Sequence, residues 1–597
     1  MDRRTIIAFS LIGLLTVIFF WTQQRRLQPA SAQTEIASPA AAEPVSGAAA
    51  STSSPTVSPA VEAGPQPTLN DDILLPAAGL KYQMRWSNQG ACLREARLTD
   101  YRQRRNEPEG VLLLDAPASG PATFALQDPK GVLPLDSRNY DLLEKSDSRL
   151  AFATTFANGL RVTKEYIPVA GKYELRVKVT LKNISDQRLE TQYAIVTAGR
   201  LVPEAGLSTE VYGAIGRRQP SGSVDIDRVM PGSAQKHNEA DAKEQATNVN
   251  PYPLIWAGAG NRYFAAILRP VLKGNEDSAE FLTPWPPVES LPKCDEVRTT
   301  TGNVILTDNV VVKLMTKQRP LKPGEEVTDE YTYFLGPVDQ KVLAEYPDIA
   351  GLLNYGWFGF VSKILLAVLH GLYRVIPNYG VGIILMTIIV RLCLFPMTRK
   401  GQIAMHRMQK LQPLIKEMQE KYKDDRQRQG REMMELYRKH NANPMSGCWP
   451  MLLQLPILFG LFRMLQNSID LRQQPFVLWI TDLSKPDTIA ALGGIPVNIL
   501  PVLMTISSLV QQFTMPRPAD PQQAQTQKMM MFMPVLMCVF FYGMASGLTL
   551  YWLTSTTLGI VEQRIVKLHI KRMEARGDFA PEEEETERGG RQKFKRK

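Results

Sequence analysis

Residues 379–399 have the sequence YGVGIILMTIIVRLCLFPMTR, an apolar segment with one arginine near its middle. Arg391 is the only formal charge between Arg374 and Arg399. Arg399 lies eight positions further on, roughly 12 Å along a helix, which is more than an arginine side chain easily reaches. A guanidinium near the bilayer centre costs about 3 kcal/mol on insertion scales. We therefore expect Arg391 to face protein or a water-filled cavity, either as a functional residue or as a structural partner inside a helix bundle.

The hydropathy of the 597-residue chain is uneven. Long apolar runs fall between residues 350 and 565, whereas residues 70–340 have the composition of a soluble domain. This distribution predicts a soluble domain joined to a polytopic α-helical membrane bundle.

The net charge of +10 is uneven as well. Residues 399–448 contain twelve Lys and Arg, and residues 564–597 contain eleven. Loops rich in basic residues stay in the cytoplasm, so both segments are predicted to be cytoplasmic. Nucleic acid is the other common partner of basic segments, and a ribosome at the membrane surface would satisfy both interpretations.

The reactive side chains do not form a recognisable catalytic or metal-binding pattern. Cys393, Cys448 and Cys538 lie in or beside apolar runs, while Cys92 and Cys294 share the soluble region, where a disulfide and two buried thiols are both open alternatives. The histidines are scattered, and the sequence has no glycine-rich Gly-Lys-Ser/Thr loop and no Ser/His/Asp arrangement. The sequence predicts no catalytic residue, cofactor or metal, and gives no indication of an enzyme.

The amino-terminal half predicts three regions. Residues 1–27 contain an apolar core preceded by Arg3 and Arg4. The small-residue triplet Ala30-Ser31-Ala32 lies about nine residues beyond this core, which favours an uncleaved transmembrane anchor over a signal peptide. Residues 28–70 are dominated by Pro, Ala, Ser and Thr and predict a disordered tether. Residues 71–345 show the period-two alternation of strands, clearest from Tyr173 to Leu181, and predict a large all-β sandwich domain. Further strands are predicted at Leu160–Ile167, Val304–Leu314 and Glu330–Leu335.

The carboxy-terminal half predicts an interfacial helix followed by membrane crossings. Residues 350–377 carry Lys363, His370 and Arg374 on one helical face, which favours an amphipathic helix at the interface. An uncharged run of 33 residues follows Lys528 and is broken near Gly543, so it predicts two helices. Six crossings with both termini inside give a consistent topology. The predicted segments are transmembrane helix 2 at 378–398, a cytoplasmic helical hairpin at 399–447, transmembrane helix 3 at 448–468, a periplasmic loop at 469–494, transmembrane helix 4 at 495–514, a cytoplasmic loop at 515–528, transmembrane helices 5 and 6 at 529–566, and a basic tail at 567–597.

The predicted hairpin carries a stripe of thioether side chains at helical spacing. Such a stripe is usually the seam between two packed helices, but flexible thioethers also suit a surface that accepts many apolar partners. The candidate capture residues are Met405, Met408, Met418, Met433 and Met434.

Several ordered motifs over residues 350–570 together resemble the signature of YidC-type membrane protein insertases, of the YidC/Oxa/Albino family. The motifs are TIIVR at 387–391, FPMT at 395–398, NPMSGCWP at 443–450, LQLPI at 453–457, LRQQPF at 471–476, FMP at 532–534 and SGLTLYW at 546–552. The anchor, tether and β domain match the Gram-negative branch, which implies a periplasmic β supersandwich and a location in the bacterial inner membrane. The family often has asparagine where Thr556 stands and tyrosine where Trp552 stands.

The resemblance implies a function and a set of site residues. Family members form a hydrophilic groove that is open to the cytoplasm and to lipid, and the groove residues would be Arg391, Thr387, Gln454, Tyr551 and Trp552. The implied partners are nascent inner-membrane proteins, the Sec translocon, signal-recognition machinery, the ribosome and the lipid bilayer, with no sequence-specific nucleic acid.

Two other functions fit parts of the sequence. An intramembrane arginine also suits a solute or anion transporter or channel, although the membrane half shows no internal repeat. A sugar-binding envelope protein would make the β domain the functional part, but no residue locates a ligand there, and five crossings beyond the first exceed what an anchor needs.

Overall fold

The computed structural model describes residues 67–75, 79–103, 105, 107–116, 120–203, 211–230, 254–271, 288–298, 304–422, 425–439, 449–492, 495–514 and 521–576. The predicted anchor, nearly all of the predicted tether, the NPMSGC part of the signature and the end of the basic tail lie outside these residues. The described residues fall into two compact units, one up to Leu353 and one from Asn354 onward.

The first unit consists mainly of antiparallel strands. Its helical elements are α1 (Gln340–Leu343) and a 3₁₀ turn at Pro347–Leu352. The strands are β1 Ile73–Leu74, β2 Tyr82–Ser87, β3 Cys92–Arg102, β4 Gly110–Asp115, β5 Leu126–Gln127, β6 Asp141–Lys145, β7 Leu150–Thr155, β8 Leu160–Pro168, β9 Glu174–Asn183, β10 Leu189–Thr191, β11 Ala194–Ala198, β12 Tyr212–Arg218, β13 Val224–Val229, β14 Leu254–Gly260, β15 Phe264–Pro270, β16 Val288–Arg298, β17 Val304–Met315, β18 Arg319–Leu321 and β19 Glu326–Pro337.

Among the described residues, the largest sheet has nine strands in the order β13-β12-β14-β15-β19-β9-β8-β7-β6. Smaller sheets have the orders β1-β2-β3-β4, β16-β17-β11-β5 and β10-β18. Neighbours in sequence are usually neighbours in the sheet, as expected of meanders joined by short turns. The predicted large β domain is therefore confirmed.

The predicted strands agree closely with the observed ones. Along β9, Leu175, Val177 and Val179 are buried, whereas Arg176 is exposed, so the alternation in the sequence marks the core face. The predictions at Leu160, Val304 and Glu330 fall within β8, β17 and β19.

Aromatic side chains fill the core beside these strands. The ring centroid of Trp86 lies 4.2 Å from that of Tyr166, and that of Phe124 lies 4.7 Å from that of Tyr333. All four side chains are fully buried. Rings of this size remove large apolar areas from water and dominate the stability of such a core.

One cation lies inside this core. Lys164 on β8 is fully buried, and its Nζ donates hydrogen bonds to the carbonyl oxygens of Gly90 at 2.5 Å and Phe124 at 2.8 Å. The ammonium also lies 5.4 Å from the ring centroid of Tyr140. Burial disfavours the charged form and lowers the pKa of Lys164 to about 7.

The structure decides between a disulfide and a buried thiol for Cys92, one of the two cysteines in the soluble region. Cys92 is a free, buried thiol whose Sγ donates to the Gln89 carbonyl at 3.2 Å. The side chain of Cys294 lies outside the described part of the chain. The buried-thiol alternative is therefore the correct one for Cys92.

The second unit is helical, with one short hairpin and a 3₁₀ turn at Ile469–Leu471. Its elements are α2 Gly359–Val375, α3 Tyr379–Lys410, α4 Gln412–Lys421, α5 Arg426–Lys439, α6 Trp449–Asn467, β20 Thr488–Leu492, β21 Ile495–Asn498, α7 Ile499–Thr514, α8 Pro521–Phe541 and α9 Ser546–Arg576.

Helix α2 has two unlike faces. Its buried face packs on α6, where the Ser362 hydroxyl donates to the Gly460 carbonyl at 2.7 Å. Lys363 and Arg374 are exposed, whereas the His370 Nε2 lies 2.8 Å from an Asp470 carboxylate oxygen. These faces suit an amphipathic helix, and its position at a membrane interface stays a prediction.

Helix α3 contains the opening segment and continues beyond it. The Asn378 side chain accepts a hydrogen bond from the Val381 amide and caps the amino terminus. The helix then runs past Thr398 to Lys410, so it includes the start of the predicted hairpin. In the described residues, α3 is the one helix that is both long and apolar enough to cross a membrane, while α7 and Met531–Phe541 are shorter apolar helices. The six crossings stay a prediction.

The boundaries of α7 and α8 differ from the sequence-based ones. Helix α7 begins at Ile499 because an Asp487 carboxylate oxygen accepts from the amides of Ile499 at 3.0 Å and Leu500 at 2.7 Å. The preceding residues from position 495 form β21, and α8 begins at Pro521, inside the segment expected to be a loop.

The predicted break between the last two helices is confirmed. Helix α8 ends at Phe541, and α9 begins at Ser546. The Ser546 amide donates to the Lys485 carbonyl at 2.7 Å, so the start of α9 is attached to the loop before β20. Both helices are long, and α9 continues to Arg576.

The hairpin contains a helix–helix seam, and part of its methionine stripe is exposed. Leu411 and Ile415 pack against Met433 and Tyr437, which form a helix–helix seam. Among the thioethers, Met405 and Met434 are exposed, while Met408 and Met418 are half-buried.

Candidate polar site in the helical unit

Arg391 on α3 reaches across to α9. Its Nε and Nη2 atoms both donate to the Ser555 hydroxyl oxygen, at 3.2 and 2.8 Å. Its Nη1 atom lies 3.4 Å from a carboxylate oxygen of Glu562. Each terminal nitrogen of a guanidinium carries two hydrogens, so hydrogens on both remain for a further acceptor.

Glu562 is the counter-charge of this arginine. Its side chain is only 8% exposed. One carboxylate oxygen faces Arg391, and the other accepts a hydrogen bond from the Thr398 hydroxyl. A buried carboxylate needs such partners, because an unpaired charge in a low-dielectric interior is strongly unfavourable.

The spacing on α9 explains why these groups meet. Tyr551, Ser555, Gly559 and Glu562 recur at intervals of four, four and three residues, which places them on one helical face. That face packs against α3 and α7. The Tyr551 hydroxyl accepts from the Gln454 amide nitrogen at 2.7 Å and so connects the face to α6.

Gly559 leaves room for the polar groups. A Cβ atom at this position would lie 2.5 Å from the Gln511 amide nitrogen and 3.6 Å from Arg391 Nη2. A side chain here would push the end of Gln511 aside, so the glycine permits this close approach rather than an unusual backbone angle.

The groups surround a cavity of about 170 Å³. A water molecule takes about 30 Å³ in the liquid, so the cavity has room for several. The Thr556 and Ser507 hydroxyls lie 2.9 Å apart at its edge. The lining residues are Arg391, Gln454, Leu458, Gln511, Tyr551, Trp552, Ser555 and Thr556.

The structure brings four of the five predicted groove residues to this cavity. Arg391, Gln454, Tyr551 and Trp552 line it. Thr387 does not, because it is 1% exposed and its hydroxyl donates to the Ile383 carbonyl at 2.6 Å. In this geometry Thr387 is a helix-packing residue one turn before Arg391.

Sequence reasoning missed several polar neighbours. Ser555 and Gln511 had no distinguishing motif, although Ser555 lies four residues after Tyr551 and therefore shares its helical face. Glu562 carried a clearer signal, since it ends the uncharged run of 33 residues. A charge at that point, opposite an intramembrane arginine, is a natural candidate for its partner.

Polar contacts continue beyond the cavity between the extensions of α3 and α9. The Arg399 Nη2 lies 2.6 Å from His569 Nε2. Glu574 contacts His406 at 2.9 Å and Lys410 at 2.8 Å. The hydrogen bonds from Lys410 and His406 lower the pKa of the Glu574 carboxyl. These contacts connect the two helices beyond their apolar parts.

The second unit therefore combines apolar helices with a polar cavity that contains a charge pair. Among the described ranges, no group of three or more His, Cys, Asp or Glu residues could hold a metal ion. This arrangement is typical of membrane proteins that hold a polar site among apolar helices.

Comparison with known proteins identifies the family. Residues 371–574 match the model of the 60Kd inner membrane protein, and residues 80–368 match the YidC periplasmic domain. The membrane protein insertase YidC of Syntrophobacter fumaroxidans is 34% identical over 436 residues, covering 72% of each chain. That of Geobacter metallireducens is 29% identical over 601 residues, covering 96% of this chain and 100% of the relative. A crystal structure of an active YidC insertase with its first transmembrane domain resolved is 17% identical, with a TM-score of 0.31, over 80% of this chain and 89% of that chain.

The chain belongs to the YidC family of membrane protein insertases. It is an inner-membrane protein with a periplasmic domain, and it inserts membrane proteins. The family is not a family of enzymes, which agrees with the absence of a catalytic motif from the sequence. The transporter alternative has no support.

Proposed function

We propose that the cavity around Arg391 is the hydrophilic groove through which this insertase moves the polar part of an incoming protein. The polar segment enters the cavity while the adjoining apolar segment passes directly into lipid. The observation that supports this proposal is the concentration of polar groups from α3, α6, α7 and α9 around one space among apolar helices.

The physical principle is a lower desolvation cost. A polar chain that crosses the hydrocarbon region loses its hydrogen bonds to water, and each unsatisfied group costs several kcal/mol. Hydroxyl and amide groups of Gln454, Gln511 and Ser555 offer replacements along the cavity wall. Water held there would shorten the distance that the chain travels without hydration.

Arg391 adds a positive charge at this point. Its side chain is 23% exposed, and it retains donor hydrogens beyond those used by Ser555 and Glu562. An acidic group on an incoming chain can therefore accept a hydrogen bond from it, and charge-assisted bonds of this kind are stronger than neutral ones.

The remaining proposals concern topology and partners. We infer six transmembrane helices, both termini in the cytoplasm and the β domain in the periplasm, since the basic residues of α4 and α5 favour the cytoplasmic side. The exposed thioethers Met405 and Met434 suit capture of apolar segments. The basic hairpin and tail suit contact with a ribosome or with signal-recognition machinery, and the Sec translocon is the further partner that we propose.

Insertion into liposomes that contain only this purified chain tests the groove. The substrate is a short single-span protein with an acidic tail, and protease protection of the tail measures its translocation without added nucleotide. Arg391→Ala should lower the protected fraction on the order of ten-fold, because the tail loses its cationic partner. Arg374→Ala, which removes an exposed arginine of α2, is the matched control and should behave like the unchanged chain.

A second substrate with a short, uncharged tail separates function from folding. Arg391→Ala should affect its insertion much less. Equal loss for both substrates would show that Arg391 acts only as a structural residue.

A further inference from the structure

We propose that Glu562 is a specificity-determining residue that partly neutralises Arg391 and so limits the preference of the groove for acidic segments. This inference rests on the proposed function of the cavity. It assigns to the chain a broader substrate class, in which uncharged polar tails are handled nearly as well as acidic ones.

The geometry places the two charges in partial rather than full contact. The 3.4 Å separation between Arg391 Nη1 and the nearest Glu562 oxygen exceeds the 2.7–2.9 Å typical of charge-assisted hydrogen bonds. The second oxygen of Glu562 accepts from Thr398, and the described contact between carboxylate and guanidinium is a single one rather than a two-bond fork. Arg391 is thus partly neutralised but not fully occupied.

Other neighbours cannot supply this negative charge. The remaining partner of Arg391 in the described structure is the neutral hydroxyl of Ser555. Besides Arg391, the cavity lining contributes amide, hydroxyl and aromatic groups and the aliphatic Leu458, none of which is acidic. Glu574 lies on the same helix but pairs with His406 and Lys410.

An incoming carboxylate would meet both charges at once. It is attracted to the hydrogens that remain on Arg391 and repelled by Glu562, since both acids would share one guanidinium. An uncharged amide or hydroxyl tail accepts a hydrogen bond from Arg391 without that repulsion. The balance between attraction to Arg391 and repulsion by Glu562 sets the ratio of acidic to neutral tails that the groove accepts.

The test compares two single-span substrates whose tails differ only by Asp-to-Asn replacements. Both are inserted into liposomes that contain the full chain, and the ratio of protected acidic to protected neutral tail is measured. Glu562→Gln removes the charge and keeps an oxygen that can accept from Thr398. The ratio should rise on the order of ten-fold, which corresponds to about 1.4 kcal/mol.

Glu574→Gln is the matched control, because it makes the same chemical change on the same helix away from the cavity. The ratio of protected acidic to protected neutral tail in this variant should equal that of the unchanged chain. An unchanged ratio in Glu562→Gln, with insertion still active, would overturn the role of Glu562 while leaving the proposed groove intact. Failure of the unchanged chain to insert either substrate would instead contradict the proposed function.

A second variant covers the case in which Glu562→Gln does not fold. Glu562→Asp keeps the charge but withdraws it by one methylene from Arg391, so the ratio should rise by a smaller factor. Melting temperatures of all variants in detergent identify any loss of folding. A ratio that does not change in the folded Asp variant also rejects the proposal.

Discussion

Each of the two units holds a cation largely out of solvent, and the units accommodate it in different ways. In the β unit, Lys164 is 0% exposed and is held by two backbone carbonyl oxygens. In the helical unit, the Arg391 side chain is 23% exposed, lines a cavity and faces both a hydroxyl and a carboxylate. The first cation is enclosed by the fold, and the second can reach a molecule that enters.

The different surroundings of the two cations predict different effects when each side chain is removed. All the contacts of Lys164 are internal to the β unit, so its loss should affect stability alone. Arg391 keeps hydrogen-bond donors directed at space that water or substrate can fill, so its loss should mainly affect insertion. The two cations therefore differ both in burial and in whether they line a cavity.

The largest expected effect is on the stability of the β unit. Lys164→Ala leaves the carbonyls of Gly90 and Phe124 without their donor and creates a cavity, which together should cost about 3 kcal/mol. Hydrogen exchange of the β8 amides in the full chain measures this locally. The exposed Lys317 provides the control, since Lys317→Ala should leave β8 unchanged. Equal protection in the two variants would contradict the structural role of Lys164.

The next expected effect is a pH dependence of the stability of the β unit. Burial lowers the pKa of Lys164 to about 7 from an ordinary value near 10.5. Between these values the unfolded chain binds more protons than the folded chain, so the free energy of unfolding rises with pH, by at most about 1.4 kcal/mol per pH unit. Denaturant unfolding between pH 7 and 9.5 measures this slope.

Lys164→Met should flatten that slope, because the titrating group is absent. Tyrosines of the unfolded chain begin to ionise near the upper end of this window, but they do so in both proteins, so the difference between the two slopes belongs to Lys164. A slope that persists in the Met variant would assign the pH dependence to another group.

The smallest effect concerns the wall of the cavity. Tyr551→Phe removes the hydroxyl that accepts from Gln454, a neutral hydrogen bond with a net contribution of about 1 kcal/mol. A small fall in melting temperature in detergent should result, with a weaker effect on insertion than Arg391→Ala. Tyr373→Phe, which removes a phenol outside the cavity, serves as control. A loss of insertion as large as that of Arg391→Ala would show that Tyr551 contacts substrate directly.

Much of the fold was predictable because it follows local periodicity. The alternation along β9 identified the core face, and the glycine near position 543 located the break before α9. The boundaries of α7 and α8 were less predictable, because the side chain of Asp487, remote from α7 in sequence, determines where α7 begins.

The residues of the site also divide into those that the sequence predicts and those that only the structure reveals. An isolated arginine in an apolar run predicted Arg391, and family motifs predicted Gln454, Tyr551 and Trp552. Thr387 was assigned to the groove by motif alone, and only the three-dimensional structure shows its hydroxyl bonded to Ile383. The pairing of Arg391 with Glu562 joins residues far apart in the chain, so it required the packing of α3 on α9.

The proposed role of Arg391 is to line a cavity that receives substrate. It is tested most directly by photocrosslinking during insertion of the acid-tailed substrate. A benzophenone amino acid replaces Trp552 in the cavity wall or, as control, Tyr373, which stacks on Tyr379 at 4.0 Å. We expect crosslinks to the polar tail from position 552 and none from position 373. Insertion that proceeds with crosslinks from position 373 and none from position 552 would contradict a route through this cavity.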